Sequence, residues 1–413
     1  MKSVSSAPMV DSFLEDFLKE MGITNYTIEA HHATRPGENF VSNLFRLTIN
    51  GKNRQNAHVL LNLIKKIAPN NEKIRAVFPL RAMYERETYY YTTIFPEMIQ
   101  LQKDYKVKEI FNVFPKVYKT SSEDLNETLL LQDMCELGYK QWDPLKVLDT
   151  EHAFLVARSY GKLHALSFAL RLLKPTVFKY LELNTPDHIF AVLQMTEDRK
   201  KGYKQRADQV LSCLDENEDR IAYETFNEFS ERMLDAMKNV VKLERVGKHA
   251  VLTHSDCWIN NYLFDYKESS PTGICILDWQ LARCGSPALD LSYFLFCCTS
   301  QGFRKEHYRA LIAEYYDSFS EFLAQFGIVS TEVFPLGALE DHLRRFSVYG
   351  LFMAILTLNL TLLQGKEVPS FQSSKSEKDI FKLREAHDSS DFELYRSRIR
   401  GVVVDFVNLG FEM

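Results

Sequence analysis

Apolar residues recur every three to four positions from Val10 to Met21, where Phe13, Leu14, Phe17, Leu18 and Met21 share one face, and Gly22 stops the run. This predicts a short amphipathic helix. From Phe40 the pattern changes to two β-type runs, FVSNLFRLTI and HVLLNLIKKI, separated by the turn-forming NGKNRQN, which predicts a hairpin. Pro69 closes the second run, and a helical stretch rich in Glu, Arg and Tyr follows from Ala76 to Met98. NVFPKVYKT and ETLLLQDM predict two further short strands. The first 133 residues therefore predict a small β-rich unit with one main internal helix.

After Asp133 the period becomes helical for more than a hundred residues, most clearly over Glu151 to Leu172 and again over Ile221 to Val246. Two strand-like pieces interrupt it, NYLFDY and GICILDW, joined by the turn-rich KESSPT, and helical sequence resumes from Leu289 to the end. Leu351 to Leu363 is strongly apolar but short of the roughly 20 residues a membrane span needs, so a buried helix is expected and no membrane span. Mixed acidic and basic residues between Lys366 and Arg400 read as a solvated surface.

Composition narrows the class. The 413 residues exceed one ordinary core and predict two lobes, 1–133 and 134–413; 46% hydrophobic and 25% charged residues fit a folded soluble chain. With 50 basic against 55 acidic residues, the net charge of -5 lacks the basic excess that drives polyanion binding, so no nucleic acid partner is expected. Seven cysteines without a CxxC pair argue against structural zinc and a disulfide framework. The N-terminal stretch lacks a signal-peptide apolar core, and its acidic residues disfavour a transit peptide, so a cytoplasmic location is expected.

The chemistry concentrates in His254-Ser255-Asp256-Cys257-Trp258-Ile259-Asn260-Asn261, a loop between short apolar strands. An Asp followed five residues later by an Asn is the spacing with which kinase-type phosphotransferases offer a base to a hydroxyl and an amide oxygen to magnesium. Twenty-two residues beyond Asp256 the strand ICIL delivers Asp278, followed by Trp279 and Gln280; a carboxylate at a strand end suits a hard cation bridging phosphate oxygens.

This combination resembles the ecdysteroid kinase-like family of arthropods, within the wider choline kinase and aminoglycoside phosphotransferase group, whose loop reads H-G-D-x-W-x-x-N and whose metal motif reads D-[FW]-Q. Trp258 and Gln280 match, whereas Ser255 replaces the usual Gly and would restrict the backbone where that Gly has a positive φ. GENFVSNLFRLTI, IKKIAP, YERETYYY, LLLQDM, ARSYGKLHALS and ALDLSYFLF extend the likeness along most of the chain.

The resemblance implies an α+β, protein-kinase-like bilobal fold and an ATP site, with Asn39 and Ser42 in the loop that lines the triphosphate. The register against Pro69 implies that Lys66, rather than its neighbour Lys65, steadies the α- and β-phosphates; the two must point to opposite faces of a strand. Glu87 matches the carboxylate that holds this lysine, with Glu85 the surface alternative, and Gln132 and Met134 fall at the hinge that meets adenine. Asp256 would be the base, and Asn261 and Asp278 the Mg2+ ligands. His254 is expected to brace the catalytic loop, Asp290 to anchor it, His164 to be a packed core histidine, and Cys297 and Cys298 to be buried in an apolar helix. The expected activity is ATP- and Mg2+-dependent phosphorylation of a small-molecule alcohol, an ecdysteroid or a xenobiotic, with no obligate protein partner. Two alternatives stay open: a choline- or aminoglycoside-type kinase of a cationic molecule, and a catalytically silent ligand-binding protein of the same fold.

Overall fold

The computed structural model describes residues 10–34, 41–185, 196–362 and 389–413. The first amphipathic run forms helix α1, Ser12–Glu20, capped by the Asp11 side chain on the Leu14 amide. Its Leu14, Phe17 and Leu18 pack on Phe45, Leu47, Ile49, Leu63 and Leu130 of a five-stranded sheet.

That sheet is antiparallel throughout, in the order β1-β2-β3-β5-β4, with strands at Thr24–His32, Asn43–Lys52, His58–Ile67, Val117–Ser121 (β4) and Thr128–Gln132 (β5). The predicted hairpin is β2–β3. Strand β1 carried no recognisable signal because it is an edge strand, largely exposed, with only Ile28 and Ala30 packed toward α1. In the β2–β3 register Leu44 faces Lys66 and Phe45 faces Lys65, so the two lysines project from opposite faces of the sheet.

The helical stretch after Pro69 forms α2 (Glu72–Val77) and, after a break at Pro79, α3 (Leu80–Tyr89), a π-helical turn at Tyr90–Ile94 and α4 (Phe95–Asp104). The last three run on without interruption, and the π-helical turn lies directly before Pro96, whose missing N–H removes one helical bond.

The remainder is mainly helical, so the fold is bilobal α+β, with the small sheet lobe preceding a larger helical lobe. Helix α5, Thr150–Leu173, is buried around most of its circumference and forms the spine of the larger core. Three short strand pairings interrupt the helices: β7 (Val251–Thr253) with β10 (Arg283–Gly285), and β8 (Tyr262–Lys267) with both β9 (Ser270–Ile276) and β6 (Lys140–Gln141). They hold the two loops that carry Asp256 and Asp278. The helices Pro287–Cys298 and Val348–Leu362 pack behind these loops. Among the described residues no helix is long and apolar enough to cross a membrane.

Candidate active site

The loop after β7 is fixed by one buried carboxylate. Asp290, in the first turn of the Pro287–Cys298 helix, accepts the backbone N–H of His254 at 2.9 Å and of Ser255 at 2.7 Å, and its own position is set by His164 Nε2 at 3.1 Å. Burial opposes its charge, but His164, His254 and the backbone N–H of His254 outweigh it and hold the carboxyl below its ordinary range. His164 Nδ1 meets Tyr315 Oη at 2.8 Å, so this histidine is built into the core.

His254 Nε2 lies 2.9 Å from the Leu277 carbonyl and 3.0 Å from that of Asp278. A carbonyl only accepts, so the proton resides on Nε2, and the ring ties the Asp256 loop to the Asp278 loop. Burial pushes the ring's pKa down, which keeps it neutral. Ser255 adopts φ +63°, the left-handed conformation that favours glycine. Its hydroxyl meets Thr253 Oγ1 at 2.7 Å and its carbonyl accepts from Tyr349 Oη at 2.7 Å.

Both oxygens of Asp256 are engaged: Oδ2 accepts from Asn261 Nδ2 at 2.8 Å, and Oδ1 from Tyr293 Oη at 3.1 Å. Burial and the nearby Asp278 charge push the Asp256 carboxyl up to about 7, against the pull of Asn261, Tyr293 and Trp258. Asn261 Nδ2 also donates to the Asp256 carbonyl at 2.9 Å, which leaves its amide oxygen as the end that could face a cation.

Asp278 sits two residues past β9 with φ +62°. Its Oδ1 lies 3.1 Å from Lys66 Nζ, and the same ammonium is 2.7 Å from Glu87 Oε2. Burial works against the lysine's charge, but Asp278 and Glu87 outweigh it and hold its pKa well above the ordinary value. Burial pushes the Glu87 carboxyl up, opposed by Lys66 and by the backbone N–H of Trp279. Trp279 stacks on Tyr90 at 5.4 Å, which packs the Asp278 loop against the π-helical turn after α3. Lys65, by contrast, pairs with Asp11 at 2.7 Å beneath α1, and Glu85 pairs with Arg81 at 2.9 Å on the surface.

The structure thus brings together Lys66, Glu87, Asp278, Asp256 and Asn261. Ser42 is buried beside Tyr84, whose ring lies 5.8 Å from Lys66 Nζ. Gln132 ends β5 in register with Leu63, and the Met134 carbonyl accepts from Leu137 and Tyr139 at 3.1 and 3.2 Å, closing a turn where the linker begins. Asn39 lies outside the described residues. No group of three or more His, Cys, Asp or Glu side chains converges on a metal position among the described residues. One carboxylate and one amide oxygen suit Mg2+, which ordinarily takes one or two protein carboxylates and completes its shell with water and phosphate.

Two features escaped the sequence. Arg46 Nε reaches Asp133 Oδ2 at 2.5 Å, joining β2 to the linker. Tyr293 and Tyr349 reach the Asp256 loop from two helices; the signal available for Tyr293 was its position three residues after Asp290, on the same helical face.

A family model described as the ecdysteroid kinase-like family matches residues 36–328, more than two thirds of the chain. No curated protein matches. Solved structures similar to the chain include the GDP complex of wild-type aminoglycoside 2'-phosphotransferase-IIIa, at 13% identity and a TM-score of 0.38, covering 94% of this chain and 99% of that one. The GDP and kanamycin complex of APH(2")-IIia is similar at 13% identity and a TM-score of 0.36, covering 84% and 89%.

Proposed function

The chain belongs to the ecdysteroid kinase-like family, and from that premise we propose that it is an ATP- and Mg2+-dependent kinase that phosphorylates a hydroxyl of a small apolar molecule, an ecdysteroid or a xenobiotic alcohol. The observation that carries this reading is the buried Lys66 ammonium held between Glu87 and Asp278 beside the Asp256–Asn261 pair. A ligand carrier has no use for that arrangement, whereas phosphoryl transfer is catalysed by positioning charge around a loose transition state. Lys66 steadies the α- and β-phosphates, Glu87 holds Lys66, and Asn261 and Asp278 hold Mg2+, which neutralises charge on the phosphates. Asp256 orients the acceptor hydroxyl and takes its proton. Ser42 lines the triphosphate, and Gln132 and Met134 meet adenine at the boundary of a nucleotide lobe, 1–133, and a catalytic lobe, 134–413. The enzyme works in the cytoplasm.

The apolar acceptor is the one that membership of the ecdysteroid kinase-like family supports. A cationic acceptor would need carboxylates or an aromatic cage around it. Calorimetry with ATP is expected to show binding that requires Mg2+ and is lost in Asp278→Ala, and a panel of steroid alcohols is expected to yield a phosphoester. Binding indifferent to Mg2+ and to Asp278→Ala points instead to a silent carrier, and product from choline or kanamycin alone points to a cationic acceptor.

A further inference from the structure

We infer that Tyr293 is a positioning residue for the Asp256 carboxylate, fixing which of its oxygens meets the acceptor hydroxyl; this rests on the kinase reading above. A carboxylate rotates in a broad, roughly two-fold well about its last torsion. A single donor restrains that rotation incompletely. Here two donors from different elements engage the two oxygens, Asn261 Nδ2 on Oδ2 at 2.8 Å and Tyr293 Oη on Oδ1 at 3.1 Å.

The phenol is suited to the task. Tyr293 is completely buried, and burial together with the Asp256 charge keeps its hydroxyl protonated, so it remains a donor throughout the working pH range. It projects from the helix turn that carries Asp290, whose carboxylate holds the backbone of the same loop. One rigid helix therefore sets both the path of the loop and the plane of its carboxylate. Tyr349 packs edge-on against Tyr293 at 6.2 Å and bonds the Ser255 carbonyl.

In the transfer step the acceptor oxygen bonds to the γ-phosphorus, the bond from that phosphorus to the β-bridging oxygen breaks, and the hydroxyl proton passes to Asp256. A carboxylate rotated away from that proton loses rate without losing nucleotide, because misplacement by about 1 Å can cost about a hundredfold.

The test compares wild type, Tyr293→Phe and Asp256→Asn in full-length protein. Ecdysone serves as acceptor, and water as a second acceptor read as ATP hydrolysis. Phenylalanine keeps the ring and its packing. The expected result for Tyr293→Phe is a kcat lower by about ten- to a hundredfold, with the KM for ATP within twofold and the unfolding midpoint within about 4 °C. A merely structural tyrosine would instead lower the midpoint and leave kcat of the folded fraction unchanged; that outcome overturns the inference, as does a kcat loss matched by a rise in the KM for ATP. If Asp256→Asn retains wild-type turnover, or wild type shows none with either acceptor, the kinase reading and the inference fall together. If Asp256→Asn abolishes turnover while Tyr293→Phe does not reduce it, the inference alone is overturned.

Discussion

Lys66, on a strand of the small lobe, lies 3.1 Å from Asp278, on a loop of the large lobe, and only 2.7 Å from Glu87 on α3. The ammonium is the bond between the lobes at this point, and its two partners are both acidic. Removing it as Lys66→Met leaves Glu87 buried next to a second carboxylate. Losing one partner of a buried pair costs about 3–5 kcal/mol, mostly for stranding the other. Glu87→Gln in the same background removes the stranded charge, so the double variant is expected to be less destabilised than the sum of the singles by about 1–3 kcal/mol in urea denaturation. Strict additivity would mean that the pair does not act as a unit.

Ser255 is held at φ +63° by bonds through its amide, hydroxyl and carbonyl. A non-glycine residue in that region carries roughly 1 kcal/mol of strain, similar to the worth of the hydroxyl bond to Thr253. Ser255→Gly relieves the first and forfeits the second, so its stability is expected within about 1 kcal/mol of wild type. Ser255→Ala keeps the strain and loses the bond, and is expected to fall below both by about 1 kcal/mol. Denaturation midpoints with Gly and Ser close together and Ala lowest check this; Ala at or above Gly contradicts it.

What the sequence could reveal was whatever depends on local spacing. Period and turn residues located α1, the β2–β3 hairpin and α5, and the distances from Asp256 to Asn261 and Asp278 are short enough to read along the chain. What it could not reveal depends on the partner across a gap. Strand β1 is polar because its edge position leaves little to bury. Lys65 and Lys66 are told apart along the chain only by the family register against Pro69, because the α1 helix that covers one face of β3 and pairs Lys65 with Asp11 is distant in sequence. Arg46 and Asp133 are 87 residues apart, and Tyr293 and Asp256 are 37 apart, so only folding brings each pair together.

Gly350 permits that folding at the rear of the site. A Cβ built there would overlap the Ser292 backbone, so the Val348–Leu362 and Pro287–Cys298 helices touch at this position main chain to main chain. Gly350→Ala must force them apart, at a cost of about 1–3 kcal/mol for overpacking. It displaces the neighbouring Tyr349 from the Ser255 carbonyl. Gly337→Ala is the control of opposite sign: its Cβ meets nothing within 4 Å. It lies in the first turn of the Leu336–Phe346 helix, and the less flexible unfolded chain is expected to stabilise the variant by about 0.5 kcal/mol. Thermal unfolding of the two variants, shifting in opposite directions, checks the contrast.

His342 makes stability depend on pH. It is buried, with Nδ1 2.9 Å from Ser286 Oγ and Nε2 3.3 Å from His249 Nδ1. Burial, His249 and Arg345 push its pKa down to about 4. Above pH 6.5 the ring is neutral both folded and unfolded, and the full contribution is present. As pH falls below that ordinary value the unfolded chain takes up a proton that the folded protein refuses, so stability declines until the folded ring also protonates near pH 4. The loss over that window is roughly 3 kcal/mol, at 1.36 kcal/mol for each unit of difference. His342→Phe cannot titrate. Its stability at pH 7 is expected to be lower than wild type through the lost Ser286 bond, but urea denaturation between pH 7 and 4.5 should give a profile flatter than wild type by about 2–3 kcal/mol. Parallel profiles would mean that the neighbourhood of His342 opens enough to admit the proton in the folded state.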